Sequence, residues 1–249
     1  MRNYEIETEK RVEFIRSLLG DSGAGGIVFG NSGGKDSVLV GILCKMACDN
    51  TVGLIMPCTS SSNYGDDMDD AQEISSLYKI ENRLIDLTKT AEAIKKALAE
   101  ATNITTSAET NIAPRLRMTA LYAVATSEGR LVAGTGNRSE RHMGYFTKWG
   151  DGAFDFNPIA DLTVTEIYEY LKYLDVPKRI IEKPPSAGLY EGQTDESDMG
   201  VTYKAIDEYL QSGACAPADK MIIDNYHNSS AHKRNPPRVY EERGGELCL

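Results

Sequence analysis

Two rhythms of apolar and polar positions alternate along the first 135 residues. Short β-rich runs occur at "GIVFG" (26–30), "TVGLIM" (51–56), "NRLIDL" (82–87) and "RLVAGT" (130–135), and they read as strands. Between them lie longer stretches with apolar residues at helical spacing. These are "SVLVGILCKMACD" (37–49), "DDMDDAQEISSLYK" (66–79), "KTAEAIKKALAEA" (89–101) and "NIAPRLRMTALYAVATSEG" (111–129). The opening "MRNYEIETEKRVEFIRSLLG" reads as an amphipathic helix. This alternation predicts an α/β fold: a doubly wound, mostly parallel sheet flanked by helices, built from right-handed βαβ units. Ligands in such sheets bind beyond the carboxyl ends of the strands, where the strand order reverses. Gly-rich turns follow both "GIVFG" and "RLVAG".

From residue 136 the pattern loosens. "GYFTKWGDGAFDFNP" and "KPPSAGLYEGQTDESDMG" are Gly/Pro-rich and irregular, and the helix "TVTEIYEYLKYL" (163–174) separates them. Loops of this length are usually lids, binding loops or disordered segments. The second carries Glu191, Asp195, Glu196 and Asp198.

Composition narrows the class. The 249 residues, 41% hydrophobic and 26% charged, suit one large domain spanning 1–249. No apolar run approaches the ~18 residues of a membrane span. The start is too charged for a secretory signal, and five cysteines without a CxxC pair give no disulfide framework, so a cytoplasmic setting is expected. Cys44 and Cys48, one helical turn apart, read as helix packing. A net charge of −10 argues against a nucleic-acid-binding surface, but not against an anionic small substrate met by a few local cations.

The chemistry concentrates in "GNSGGKDS" (30–37). It imitates a Walker A loop and fails as one. With Gly34-Lys35 as its second half, the first Gly should stand at 29, which is Phe29, and the Mg²⁺-binding Ser/Thr is Asp36. What remains is an anion nest: backbone N–H groups, glycines free to take positive φ, a helix N-terminus, the Ser32 and Ser37 hydroxyls and the Lys35 ammonium. Asp36 would repel bound phosphate unless a cation such as Mg²⁺ lay between them. The plainer alternative is a Gly-rich turn with a helix cap.

"SGGKDS" resembles the pyrophosphate loop (SGG-x-DS) of the N-type ATP pyrophosphatases, which cleave ATP between its α and β phosphates. Three downstream stretches are similar, in order, to the ammonia-dependent NAD synthetases. They are "GTGNRSERHMGYFTKWGDGAFDFNPIADLT" (134–163), "PSAGLYEGQTDESDMGVTY" (185–203) and "HKRNPP" (232–237). The resemblance implies the adenine nucleotide alpha-hydrolase-like fold. It implies ATP contacts from Gly30, Asn31, Ser32, Gly33, Gly34, Lys35, Asp36, Ser37, Thr135 and Ser186, and Mg²⁺ held by Asp36 and Glu140. Arg115, Lys148, Asp155, His232 and Lys233 would hold deamido-NAD. Two departures stand out: Val164 replaces a Lys common after "DLT", and Ser186 replaces a common Thr while keeping the hydroxyl; Gly136-Asn137 stands where Asp-His is common and receives no assigned role.

The activity implied is amidation of deamido-NAD by ammonia, the last step of NAD biosynthesis. ATP activates the nicotinate carboxylate as an acyl-adenylate; pyrophosphate leaves, and ammonia then releases AMP. Glutamine-dependent relatives carry an additional amidase domain, for which this chain has no room, so free ammonia is the expected donor. A homodimer whose subunits complete each other's site is also implied. The acidic stretch "SAGLYEGQTDESDMG" would then close over the intermediate and favour ammonium entry. Two other readings stay open: another adenylating amidotransferase such as a GMP synthetase, or a nucleotide-binding regulator without turnover.

Overall fold

The structure, a computed structural model, describes residues 2–58, 66–182 and 194–240. Its first half follows the alternating pattern: α1 (Tyr4–Ser22), β1 (Gly26–Gly30), α2 (Lys35–Ala47), β2 (Thr51–Ile55), α3 (Asp66–Tyr78), β3 (Glu81–Leu84) and α4 (Thr88–Ala99). The short α5 (Thr106–Thr110), then α6 (Ile112–Glu128) and β4 (Arg130–Ala133), complete the sheet. The four strands run in the order β3-β2-β1-β4, and every pairing is parallel. The chain therefore reverses its direction of winding between β1 and β4.

Successive residues of a strand point to opposite faces, and β1 supplies both cores. Ile27 and Phe29 pack with α1, α2 and α8 (Val164–Tyr173) on one face. Val28, with Val52, Leu54 and Val132, packs on α4 and α6 on the other. Gly41 sits mid-helix because a Cβ there would lie 2.7 Å from Phe29 Cζ; the missing side chain lets α2 settle on the sheet. The edge strand β3 is only partly covered, which suits its Glu81, Asn82 and Arg83.

Beyond β4 the chain is helical, more so than its irregular sequence predicts. α7 (Arg138–Met143), α8, α9 (Lys178–Ile181), α10 (Asp195–Met199), α11 (Tyr203–Ser212), α12 (Pro217–Ser229) and α13 (Ala231–Arg234) follow. A separate apolar cluster joins Met143, Val164, Met199, Tyr203, Ile206 and Ile223, so α7, α8, α10, α11 and α12 form a layer of their own. Val164 is buried in that cluster and its N–H donates to Ser139 Oγ, so it makes no substitute for the familiar Lys. At the chain's start Arg11 donates to the Pro158 carbonyl and to Asp161, and Arg2 to Glu166, strapping α1 to the entry of α8. Cys44 is buried on the core face of α2, as helix packing predicts.

Candidate active site

A cavity of about 640 Å³ opens at the carboxyl ends of the strands, where β1 and β4 part. Its floor is the turn after β1. Gly33 takes φ +74°, a conformation open to glycine, and its N–H donates to Asn31 Oδ1. Asn31 is buried and anchors the turn, its Nδ2 donating to Ser75 Oγ and Asn82 Oδ1 at 3.1 Å each. Ser32 and Ser37 hydroxyls lie 3.1 Å apart. The N-terminus of α2 has Gly34 as its cap and no side-chain capping bond, so the first-turn amides face the cavity.

The charged centre is compact. Lys35 is 7% exposed, and its Nζ lies 2.7 Å from Asp36 Oδ2 and 4.0 Å from Glu140 Oε1. Its ammonium also sits 5.6 Å from the Tyr203 ring centroid. Burial alone would depress the Lys35 pKa, but Asp36 and Glu140 outweigh it, and the net shift is upward. Glu140 moves the other way from an ordinary surface acid. Burial, then the negative charges of Asp36 and Asp195, push its carboxyl well above the usual range against the pull of Lys35. Asp195, buried, accepts a 2.9 Å bond from Tyr203 Oη; burial and the neighbouring acids raise that phenol's pKa strongly.

Asn137, between β4 and α7, ties the two metal-type acids together. It caps α7 in a reciprocal box: its Oδ1 accepts from Glu140 N at 3.0 Å, and Glu140 Oε2 accepts from Asn137 N at 3.2 Å. Its Nδ2 donates to Asp36 Oδ1 at 3.0 Å. One fully buried amide therefore orients a carboxylate on each side of the switch point. The sequence signal was the spacing Asn-x-x-Glu in "NRSE", a capping box. Ser139, in the same helix, donates to the buried Asp207 of α11, which also accepts from Thr165 N, so α7 is braced from behind.

Gly30, Asn31, Ser32, Gly34, Lys35, Asp36, Ser37, Thr135 and Glu140 all line the cavity, with Gly33 buried beneath. Ser186 lies outside the described residues, as does most of the acidic stretch before Thr194. At the far end His232 and Lys233 line the cavity. Lys233 Nζ donates to the carbonyls of Gly144 and Phe146, and burial lowers its pKa. Arg115 and Lys148 lie outside the lining, at the rim. Arg115 Nε donates to the Lys148 carbonyl and Lys148 Nζ to the His232 carbonyl. Asp155 stands apart on the edge of β4. It accepts from Val132 N at 2.7 Å and from Tyr122 Oη at 3.1 Å, in a shallow depression shared with Ser22 and Arg130.

Arg117 is the cavity cation that motif reading passes over. Residues two apart on a helix face nearly opposite ways, so α6 turns Arg115 to the rim and Arg117 inward. Arg117 Nε donates to the Met56 carbonyl at the end of β2. Met56, Met118 and Leu121 add an apolar wall beside Gly30.

No group of three or more His, Cys, Asp or Glu among the described residues is arranged to hold a metal. Two acids, Asp36 and Glu140, flank the anion nest instead, which suits a cation completed by phosphate oxygens. Parallel strands, a Gly-rich nest and paired acids at the switch point define a nucleotide-binding α/β enzyme.

The comparisons with known proteins identify which kind. The NAD synthase family model matches residues 7–237. The NH(3)-dependent NAD(+) synthetase of Carboxydothermus hydrogenoformans is 43% identical over 240 residues, 95% of this chain and 98% of the relative. Among solved structures, an NMN synthetase from Francisella tularensis superposes with TM-score 0.92 at 38% identity, covering 97% of this chain and all of that one. An NH3-dependent NAD synthetase from Campylobacter jejuni, solved with a nitrate ion, gives TM-score 0.78 at 31% identity, covering 97% of this chain and all of that one. The chain belongs to the NAD synthase family. It is therefore a ligase of NAD biosynthesis that uses ATP.

Proposed function

We propose that this ligase amidates deamido-NAD with free ammonia, by way of an acyl-adenylate. The observation that carries the reading is the meeting of Asp36 and Glu140, from separate strand ends, around one buried lysine beside a helix N-terminus with no side-chain capping bond. The nicotinate carboxylate oxygen forms a bond to the α-phosphorus of ATP as the bond to the β-phosphate oxygen breaks. Pyrophosphate departs into the nest, where the amides of the Gly33–Ser37 turn and the Lys35 ammonium meet its charge. Ammonia then adds to the activated carbonyl carbon, AMP leaves with the carboxyl oxygen, and a proton from the ammonia is released.

Asp36 and Glu140 are the residues that would hold Mg²⁺. Bound there, it would supply positive charge against the leaving pyrophosphate. The raised pKa of Glu140 reports two acids crowded beside one lysine, a donor set that would suit a divalent cation. The apolar wall of Met56, Met118 and Leu121 suits the base of ATP, and His232 and Lys233 suit the second substrate. Asp195 and its neighbours would favour ammonium near the site. A homodimer in the cytoplasm is the assembly and setting we infer. No helix among the described residues is long and apolar enough to cross a membrane.

The likeness to a solved NMN synthetase favours one second reading, in which the carboxylate carrier is nicotinate mononucleotide. One assay separates the cases. Purified protein with ATP and Mg²⁺ should release AMP and pyrophosphate only with deamido-NAD, and form NAD only when ammonia is added. Faster turnover of nicotinate mononucleotide would transfer the assignment to it. AMP formation driven by xanthosine monophosphate would point to a GMP synthetase-like enzyme, and binding without turnover to a regulator.

A further inference from the structure

Three non-glycine residues among those described have positive φ: Lys79 at 56°, Trp149 at 65° and Asp175 at 55°. Lys79 and Asp175 each close a helix, their N–H groups donating back to Ser76 and Lys172 carbonyls. Trp149 closes none. It is the third residue of a turn shut by the Gly150 N–H on the Thr147 carbonyl at 3.0 Å. Positive φ at that position alone marks a type II turn, which selects Gly or Asn; a tryptophan there is a true outlier. Backbone held against its preference points toward function when the surroundings enforce it. Here they do: a Cβ on Gly150 would lie 2.9 Å from Pro114, so the turn is pressed onto the start of α6.

The strain presents the indole outward. Trp149 is 59% exposed, while Thr147 and Asp151 on either side of it line the cavity. Lys148 Nζ lies 5.2 Å from its ring centroid, and Arg115 is bonded to the Lys148 carbonyl. A flat aromatic face with two cations one step away is the chemistry that takes a nucleotide: the base stacks and the phosphate pairs. The cavity proper, about 640 Å³, has the reacting carboxylate and ATP to accommodate. We propose that Trp149 is a stacking platform at the rim for the adenine of a dinucleotide substrate, and so discriminates deamido-NAD from nicotinate mononucleotide. This rests on the function proposed above.

The chain has one tryptophan, so intrinsic fluorescence reads this residue directly. Deamido-NAD titrated into the full-length protein without ATP should quench the emission, and nicotinate mononucleotide should leave it unchanged. Trp149→Ala should raise KM for deamido-NAD on the order of tenfold, with less than a twofold change for the mononucleotide; Trp149→Phe should restore most of the loss. Trp149→Gly accepts the turn's positive φ and removes the whole side chain. It should repeat the KM change with Tm unchanged or higher. Equal quenching by both ligands, or equal KM shifts, would overturn the platform. So would a change of sedimentation coefficient in Trp149→Ala with both substrates affected alike, since the indole would then pack against a second copy. If the wild type fails to amidate deamido-NAD, the proposed function falls, while the quenching difference still decides the platform.

Discussion

The two ends of the cavity are built by different means. Around Asp36 and Glu140 the key polar groups, Asn31, Lys35, Asn137 and Ser139, are buried, and side chains from distant elements brace them. Asn31 is tied to α3 and β3, Asn137 to both acids, and Ser139 to α11. At the opposite end the cations Arg115, Lys148 and Lys233 bond, among the described residues, only to backbone carbonyls, and Arg115 is exposed. Fixed charges in a dry site stabilise a transition state without reorganising. Cations at the mouth of a site, held only through main-chain carbonyls, give recognition and tolerate exchange better than a buried network. The architecture therefore predicts that chemistry is sensitive at the first end and that substrate choice is adjustable at the second.

The severest test of that division is Asp36→Asn. It keeps the shape of the turn and removes one of the two metal-type charges, so kcat should fall on the order of a thousandfold. Single-turnover release of pyrophosphate measures it, and a change confined to KM would break the comparison. Next comes Asn137→Ala, which removes a helix cap and the bond to Asp36 together. Unfolding should lose about 1 kcal/mol, and activity should fall roughly 10–100-fold. Chemical denaturation and a Mg²⁺ titration of the rate separate the two effects; added Mg²⁺ should recover part of the rate and none of the stability. At the rim, Lys233→Met should raise KM for deamido-NAD about tenfold, with kcat held within about twofold. A matching loss in kcat would extend the rigid end across the whole cavity.

The smallest effect concerns pH. His142 stacks on His227 at 4.2 Å between centroids, in the layer behind the site. Burial first, then the charges of His227, Arg234 and Arg138, push its pKa from 6.5 down to about 4, against the opposing pull of Asp224. Between those values the unfolded chain binds the proton and the native one does not. Stability therefore falls as pH drops through that window and is fully kept above it. His142→Asn should flatten the decline in urea midpoint between about pH 6.5 and 4, with little change at pH 8.

The sheet was largely legible because each strand's pattern reports its burial. β1 and β2 are covered on both faces and read as continuous apolar runs, and the structure keeps them at Gly26–Gly30 and Thr51–Ile55. "NRLIDL" was expected to extend to 87; the regular strand ends at Leu84, while backbone bonds from Ile85 N and Leu87 N to the Ile55 and Pro57 carbonyls carry the pairing on to 87. The helical layer was less legible. α7 has six residues, too few for an apolar period, and exists through its cap and Gly144. The amphipathic α11 and α12 carry start signals, Thr202 as a cap and Pro217 at the first position, inside a segment where motifs drew attention to single residues.

Within the site, the turn 30–37 could be placed from sequence because its chemistry is local. Asn137 could not, because its value lies in bonding to Asp36, 101 residues earlier in the chain. Arg117 was hidden behind Arg115 by a rotation about the α6 axis, which motif matching ignores. Asp155 illustrates the reverse: its motif is familiar, yet both carboxylate oxygens are engaged in holding β4 and α6.

The reciprocal box at Asn137 makes the first turn of α7 an instrument as well as a scaffold. The amide proton of Glu140 is bonded to the same side chain that holds Asp36. Its exchange with deuterated solvent requires that side chain to let go. Any occupant that draws Asp36 and Glu140 together tightens the grip, and the exchange clock at this one amide slows. Nucleotide arrival at the strand ends thus acquires a backbone reporter, readable by mass spectrometry and separate from catalysis.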